Sequence, residues 1–181
     1  MQFESYSKKG VFTLSIISII LNCAATGNAR SEQMSDKQQN WGEEVLKAYE
    51  NAKLARSRAY AKYSQFQVGA CLVLNNGEHV LGCNVENVSN GATRCAEQGA
   101  ISQTFARFGE MDAKFLLVVS QSQPPVGPCG ICLQVLTEFV QPDFPIYIAG
   151  LDKIHSKHTL KDFLPMAFTP DQLLSAVNKT T

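Results

Sequence analysis

No block of lysine and arginine long enough to follow a phosphate backbone occurs in this sequence. Its formal net charge is +0, and only 18% of its residues are charged. Both facts argue against a nucleic-acid partner and for a small molecule. The apolar run at residues 11–21 falls short of the roughly 20 residues that a membrane-spanning helix needs, so no stable span is expected. Neither an internal repeat nor a low-complexity tract is present. The 181 residues leave room for one domain with a sizeable core plus a leader or tail. Histidine is scarce, and none of the three falls at finger-like spacing from the cysteines.

Six cysteines could form a disulfide framework in a secreted chain, but their placement argues otherwise. Cys71 and Cys83 sit in apolar, strand-like runs, where cysteine behaves as a small buried hydrophobe. Cys23 lies near the N-terminus. The remaining three define two short runs, Cys95-Ala96-Glu97 and Pro128-Cys129-Gly130-Ile131-Cys132.

Cys-x-x-Cys alone fits a redox motif or half of a structural zinc site equally well. Joined to an upstream Cys-x-Glu and a Pro before the first thiol, it is the known signature of zinc-dependent base deaminases. Three thiolates on Zn²⁺ leave a net charge of about −1 and an open fourth position, as catalytic zinc requires. Starts of helices near the cysteines would offset the sulfur charge and lower the thiol pKa. Glu97 would reach over the open position, take a proton from the water there, and hand it to a ring nitrogen and then to the leaving amine. The competing reading is a closed structural site completed by a fourth ligand such as His79, His155 or His158.

Around these runs the periodicity alternates. Trp41, Val45, Ala48, Tyr49 and Ala52 recur at helical spacing and predict a helix packed on a sheet. Residues 68–74 predict a strand, Asn76-Gly77 a two-residue hairpin, and residues 79–86 the returning strand. Period-two alternation would point Asn84 and Glu86 to one face, as a pair suited to binding a sugar hydroxyl. A helix over residues 95–108 would bury Ala100, Ile101, Thr104, Phe105 and Phe108. Strands are expected at 115–120 and 146–149, with an edge strand at 156–160. Cys132, Val135, Leu136 and Phe139 trace a helix between them. Thr169, Pro170 and Gln172 read as the capped start of a last helix, with Leu173, Leu174 and Val177 inside. The pattern predicts an α/β fold: three-layer α/β/α with a mixed, roughly five-stranded sheet.

The first residues do not look like domain. Lys8 and Lys9, the apolar run and the small residues at 23–29 describe a secretory leader cleaved after Ala25 or Ala29. The alternative is that residues 1–33 precede a working start at Met34, with the domain spanning 34–181. Free zinc thiolates favour a reducing compartment, hence Met34 and a cytoplasmic location, with secretion or a periplasmic location as the alternative.

Five runs resemble the cytidine deaminase family, in its short three-cysteine form. They are residues 63–70 (YSQFQVGA), 82–87 (GCNVEN), 95–97, 128–135 (PCGICLQV) and 164–170 (LPMAFTP). The resemblance implies zinc, one ion per subunit, on Cys95, Cys129 and Cys132, with Glu97 as proton shuttle. It makes Asn84 and Glu86 the ribose 3′-hydroxyl pair and Phe66 a wall of the pyrimidine pocket. The Ala96 backbone would contact the pyrimidine carbonyl. Phe168 would be lent to a neighbour's site in a homotetramer. The implied activity is hydrolytic deamination of cytidine and 2′-deoxycytidine in pyrimidine salvage. Free nucleoside is favoured because Glu86 is acidic and no arginine cluster for phosphate is evident.

Three positions depart from the family pattern. Gln98 and Leu133 stand where it usually carries arginine, and Asn90 where it often carries tyrosine. Arg94, beside Cys95, would then either supply the missing charge to a ligand sulfur or stand as an exposed surface arginine. The departures keep two alternatives open: deamination of another aminated heterocycle, and a non-catalytic zinc-bound binding protein.

Overall fold

Seven residues, Val68–Leu74 (β1), form an inner strand because both of its sides are covered: all but Val68 are buried. A near-continuous apolar run is what a strand sandwiched between two layers requires. Ala113–Ser120 (β3) is built the same way, its last six residues buried. The computed structural model describes residues 40–177. The readings made for residues 1–33, and for the side chain of Val177, lie outside the described residues.

The other strands are His79–Cys83 (β2), Pro145–Ala149 (β4) and Ile154–Thr159 (β5). The sheet has five strands in the order β2-β1-β3-β4-β5. Only β3 and β4 pair in parallel; the other neighbours are antiparallel. The mixed sheet predicted above is therefore present, and β5 is the edge strand expected there.

Alternation along β1 and β3 divides the core. Cys71, Val73, Leu117 and Val119 face the helix Glu43–Arg56 (α1), which presents Val45, Ala48, Tyr49 and Ala52. Ala70, Leu72, Leu116 and Val118 face Ala96–Phe108 (α2) and Gly130–Leu136 (α3) on the opposite side. This is the three-layer α/β/α arrangement. Each fully buried aliphatic side chain contributes roughly 1.5–3 kcal/mol to holding it.

The helices come unusually close to the sheet at Gly69 and Gly82. A Cβ on Gly69 would lie 2.0 Å from the Ala52 carbonyl oxygen in α1. On Gly82 it would lie 2.0 Å from the Ala96 oxygen at the start of α2. Only glycine permits backbone to meet backbone in this way.

Several expectations need correction. The β1–β2 turn is not a two-residue hairpin. The Gly77 N–H donates to the Leu74 carbonyl, and Gly77 alone takes positive φ, at 84°. That is a turn over Asn75-Asn76 followed by a left-handed glycine bulge. β2 stops at Cys83, not 86, because the Val68 N–H is taken by the Asn84 side chain at 2.8 Å. Phe105 and Phe108 are exposed on α2, the former against Phe139 at 4.9 Å between centroids. Phe139 itself lies beyond the end of α3. A short helix, Leu160–Phe163 (α4), and a 3₁₀ turn, Asn90–Ala92, went unforeseen. The final helix, Pro170–Val177 (α5), begins as expected, with the Gln172 Oε1 accepting from the Thr169 N–H at 3.1 Å. Its Leu173 and Leu174 are exposed on this chain, not inside.

Candidate active site

Cys95 and Cys129 are the N-cap residues of α2 and α3, both in extended conformation. Each therefore sits at the tip of a helix, with Cys132 one turn into α3. The contact at Gly82 presses the start of α2 onto the sheet. A backbone bridge between Val85 and Arg94 ties Cys95 beside the segment carrying Asn84 and Glu86. The two motif runs, 34 residues apart, are brought together by this packing.

The three sulfurs lie within 4.8 Å of one another. Cys95 and Cys129 Sγ are 4.0 Å apart, and Cys129 and Cys132 Sγ are 3.5 Å apart. Tetrahedral zinc with Zn–S of about 2.3 Å would separate its sulfurs by about 3.8 Å. Donor type and spacing both suit one zinc ion. His79, His155 and His158 are not in this cluster, so the closed four-ligand site has no support among the described residues. His79 instead lies 3.4 Å from the Cys71 sulfur at the far hairpin.

The thiols share protons unequally. Cys95 is held down to about 7, chiefly by its hydrogen bond with Cys132, against burial and the Glu97 charge. Cys132 is pushed upward by the same bond, by burial and by Glu97. Glu97 is 4% exposed, and burial pushes its carboxyl above the ordinary range, against hydrogen bonds from its own backbone and from Cys132. A carboxyl kept dry beside the sulfur cluster is one that holds its proton more readily than an ordinary glutamate.

Gln98 reaches the cluster as well: its Nε2 donates to Cys132 Sγ at 3.6 Å. Of the two readings of Arg94, sulfur donor or surface arginine, the structure favours the second. The Arg94 side chain is exposed, and its bonds to Val85 run through the backbone. Leu133 is buried in the core against the sheet, and Asn90 lies exposed in the 3₁₀ turn.

A cavity of about 300 Å³ opens over the cluster. Cys95, Cys129, Ala96, Glu97, Phe66, Asn84 and Glu86 all line it; Cys132 is buried behind. Asn84 and Glu86 also hold one wall. Asn84 accepts from the Val68 N–H and donates to the Phe66 carbonyl, each at 2.8 Å. Glu86 accepts from the N–H groups of Tyr63 at 2.7 Å and Ser64 at 3.2 Å, and from the Ser64 hydroxyl. These bonds, the Ser64 hydroxyl foremost, hold the Glu86 carboxyl below the usual carboxylate range. Sequence reasoning missed Ser64, Ser120 and Val126 as lining residues. Ser64 was visible within the 63–70 run, but nothing in its local pattern pairs it with a residue 22 positions on. Phe168 does not line this cavity; it is 57% exposed and borders a separate groove with Met166 and Leu164.

Residues 43–148 match the family model for the cytidine and deoxycytidylate deaminase zinc-binding region. The chain belongs to the cytidine deaminase family. It is 39% identical over 119 residues to a cytidine deaminase of Halalkalibacterium halodurans, covering 66% of this chain and 89% of that one. Against a cytidine deaminase of Sporosarcina psychrophila it is 37% identical over 136 residues, covering 75% and 99%. The crystal structure of cytidine deaminase from Burkholderia pseudomallei superposes with a TM-score of 0.65 at 38% identity, covering 68% of this chain and 98% of that one. The matched region is a zinc-binding one, and this chain carries a sulfur cluster suited to one zinc ion. No helix among the described residues is long and apolar enough to cross a membrane.

Proposed function

We propose that this cytidine deaminase homologue converts cytidine and 2′-deoxycytidine, as free nucleosides, to uridine and 2′-deoxyuridine in pyrimidine salvage. One observation carries the reading. A single cavity is lined by sulfurs of a metal cluster, by a buried carboxyl, and by an amide–carboxylate pair suited to a sugar hydroxyl.

Cys95, Cys129 and Cys132 would hold zinc, which when bound supplies a Lewis acid that brings the pKa of water toward neutrality. Glu97 takes a proton from the attacking water and delivers it to ring nitrogen N3. It then moves the second proton to the exocyclic amine, so that the new C4–O bond replaces C4–N4 and ammonia leaves. Phe66 closes one side of the base pocket, and the Ala96 backbone faces the pyrimidine carbonyl. Asn84 and Glu86 take the ribose 3′-hydroxyl. The acidity of Glu86 disfavours a phosphate nearby.

Phe168 points to an assembly. It lies outside its own chain's cavity, and Met166 in the same groove is exposed, as are Leu173 and Leu174 on α5. A homotetramer in which Phe168 enters a neighbour's cavity would use them. The thiolate cluster fits a reducing, cytoplasmic setting, with residues 34–181 as the working domain.

The reading is tested by mixing purified protein with cytidine, deoxycytidine or adenosine and following the ultraviolet band of the amino-heterocycle. Cytidine and deoxycytidine should be consumed, and Glu97→Gln should cut turnover by about 10²–10⁴-fold with zinc retained. Full zinc with no turnover of any substrate would reject it.

A further inference from the structure

The wall carrying Ser64 and Phe66 is a short loop of unusual shape. Gln65, between them, has φ of 58°, the one non-glycine residue described with positive φ. A side chain in that region costs free energy and persists where its surroundings over-determine it. Part of the constraint is local: the Gln65 N–H donates to the Ala61 carbonyl at 3.0 Å, and its Nε2 to the Lys62 carbonyl at 2.8 Å.

The rest comes from outside the cavity. Gln121, just past β3, donates its Nε2 to the Gln65 carbonyl at 3.0 Å. Its Oε1 accepts from Arg56 Nη2, and Arg56 Nε donates to the Gln67 carbonyl at 3.1 Å. Arg56 is the last residue of α1. Its backbone is held against β1, since a Cβ on Gly69 would lie 2.5 Å from the Arg56 nitrogen. The guanidinium thus links a helix end, the residue that follows a strand, and the backbone from the strained residue to Gln67. Neither Arg56 nor Gln121 lines the cavity.

We propose that Arg56 and Gln121 are positioning residues for substrate binding: together they brace residues 63–67 so that Ser64 and Phe66 form the cavity wall. Glu86, which accepts three bonds from Tyr63 and Ser64, holds the same loop from the cavity side. Without the brace the loop relaxes, and the surface met by sugar and base loses its shape. The metal cluster and Glu97 keep theirs. Binding suffers; the chemical step does not. The inference rests on the deaminase reading for its kinetic arm alone.

Steady-state kinetics with cytidine on Arg56→Ala, Gln121→Ala and Gln121→Glu tests it in the full chain. Gln121→Glu keeps an oxygen for Arg56 but loses the donor to Gln65, which separates the two halves of the brace. Each variant should raise KM by about threefold to tenfold, the scale of one or two lost hydrogen bonds, with kcat within about twofold. A purely structural role would lower active protein and leave KM alone. Limited trypsin cleavage after Lys62, an exposed loop residue, supplies a readout independent of activity. It should quicken in both Gln121 variants relative to cleavage elsewhere in the chain. Unchanged KM in both Gln121 variants overturns the proposal, as does a fall in kcat at constant KM. If the unsubstituted protein turns over no cytidine, the deaminase reading fails. The Lys62 cleavage rate then decides the brace by itself: faster supports it, unchanged overturns it.

Discussion

Gly82 lies against Ala96 so closely that a Cβ on it would come within 2.0 Å of the Ala96 carbonyl oxygen and 2.5 Å of the Ala100 nitrogen. The first turn of α2, carrying Cys95 and Glu97, is seated on the sheet through this contact. Gly82→Ala must push the helix away. The expected cost is about 1–3 kcal/mol or more of stability, accompanied by a fall in bound zinc. Urea denaturation and metal analysis of the same preparation check both.

Gln98 supplies a neutral donor to the Cys132 sulfur. Removing it with Gln98→Leu leaves that sulfur without its side-chain amide partner. Partners of this kind are worth about 10–100-fold in metal affinity. Zinc transfer to a chromogenic chelator should therefore quicken in Gln98→Leu, and more so in Gln98→Glu, where a carboxylate would face the thiolates. Equal release rates in all three proteins would show that the contact does not help to hold the metal.

The Glu86 carboxyl titrates below the ordinary carboxylate range, first because of the Ser64 hydroxyl and then the Tyr63 and Ser64 N–H groups. With a depressed folded-state pKa, its hold on the loop is complete above the unfolded value. It is lost only as pH falls through the lower folded one. Hence KM for cytidine should show no Glu86-linked rise between neutrality and the ordinary carboxylate range. Ser64→Ala lets the Glu86 pKa rise toward normal and should bring such an increase to higher pH. A pH series of KM on the two proteins decides it.

Cys71 is fully buried in β1, and its thiol is pushed up to about 12, by burial above all and against the pull of Lys47. Only the thiolate is reactive. Iodoacetamide at neutral pH should leave Cys71 unmodified in the native protein and label it once denaturant is added. Peptide mass spectrometry after each treatment shows which holds.

The inner strands were legible because sheets covered on both faces demand unbroken apolar runs, and residues 68–74 are such a run. The motif cysteines were legible because metal ligation restricts residue type and spacing together. Where the reading overran, a side chain had replaced a backbone partner: Asn84 takes the Val68 N–H and ends β2 early, which periodicity cannot register. Phe105, Phe108, Leu173 and Leu174 carry helical apolar spacing yet face outward on this chain, since spacing marks a face without saying what covers it. The contact of Gln98 with the cluster was missed for a simpler reason. Charge alone suggested arginine, but Gln98 lies within the first turn of α2, where a side chain can reach over to α3. The Arg56–Gln121–Gln65 brace joins residues far apart in the chain and has no local signature at all.

Cys95 and Cys129 stand where helices ordinarily keep a serine, threonine, aspartate or asparagine, and neither side chain caps its own helix. Each thiol, freed from finishing its helix, is turned instead toward a sulfur cluster suited to one ion. An ion held there would add a rivet between the tips of two helices that otherwise meet through the Gln98–Cys132 contact. Emptying such a site would cost more than chemistry: α2 would stay seated on the sheet through Gly82, but the link from its tip to that of α3 would loosen.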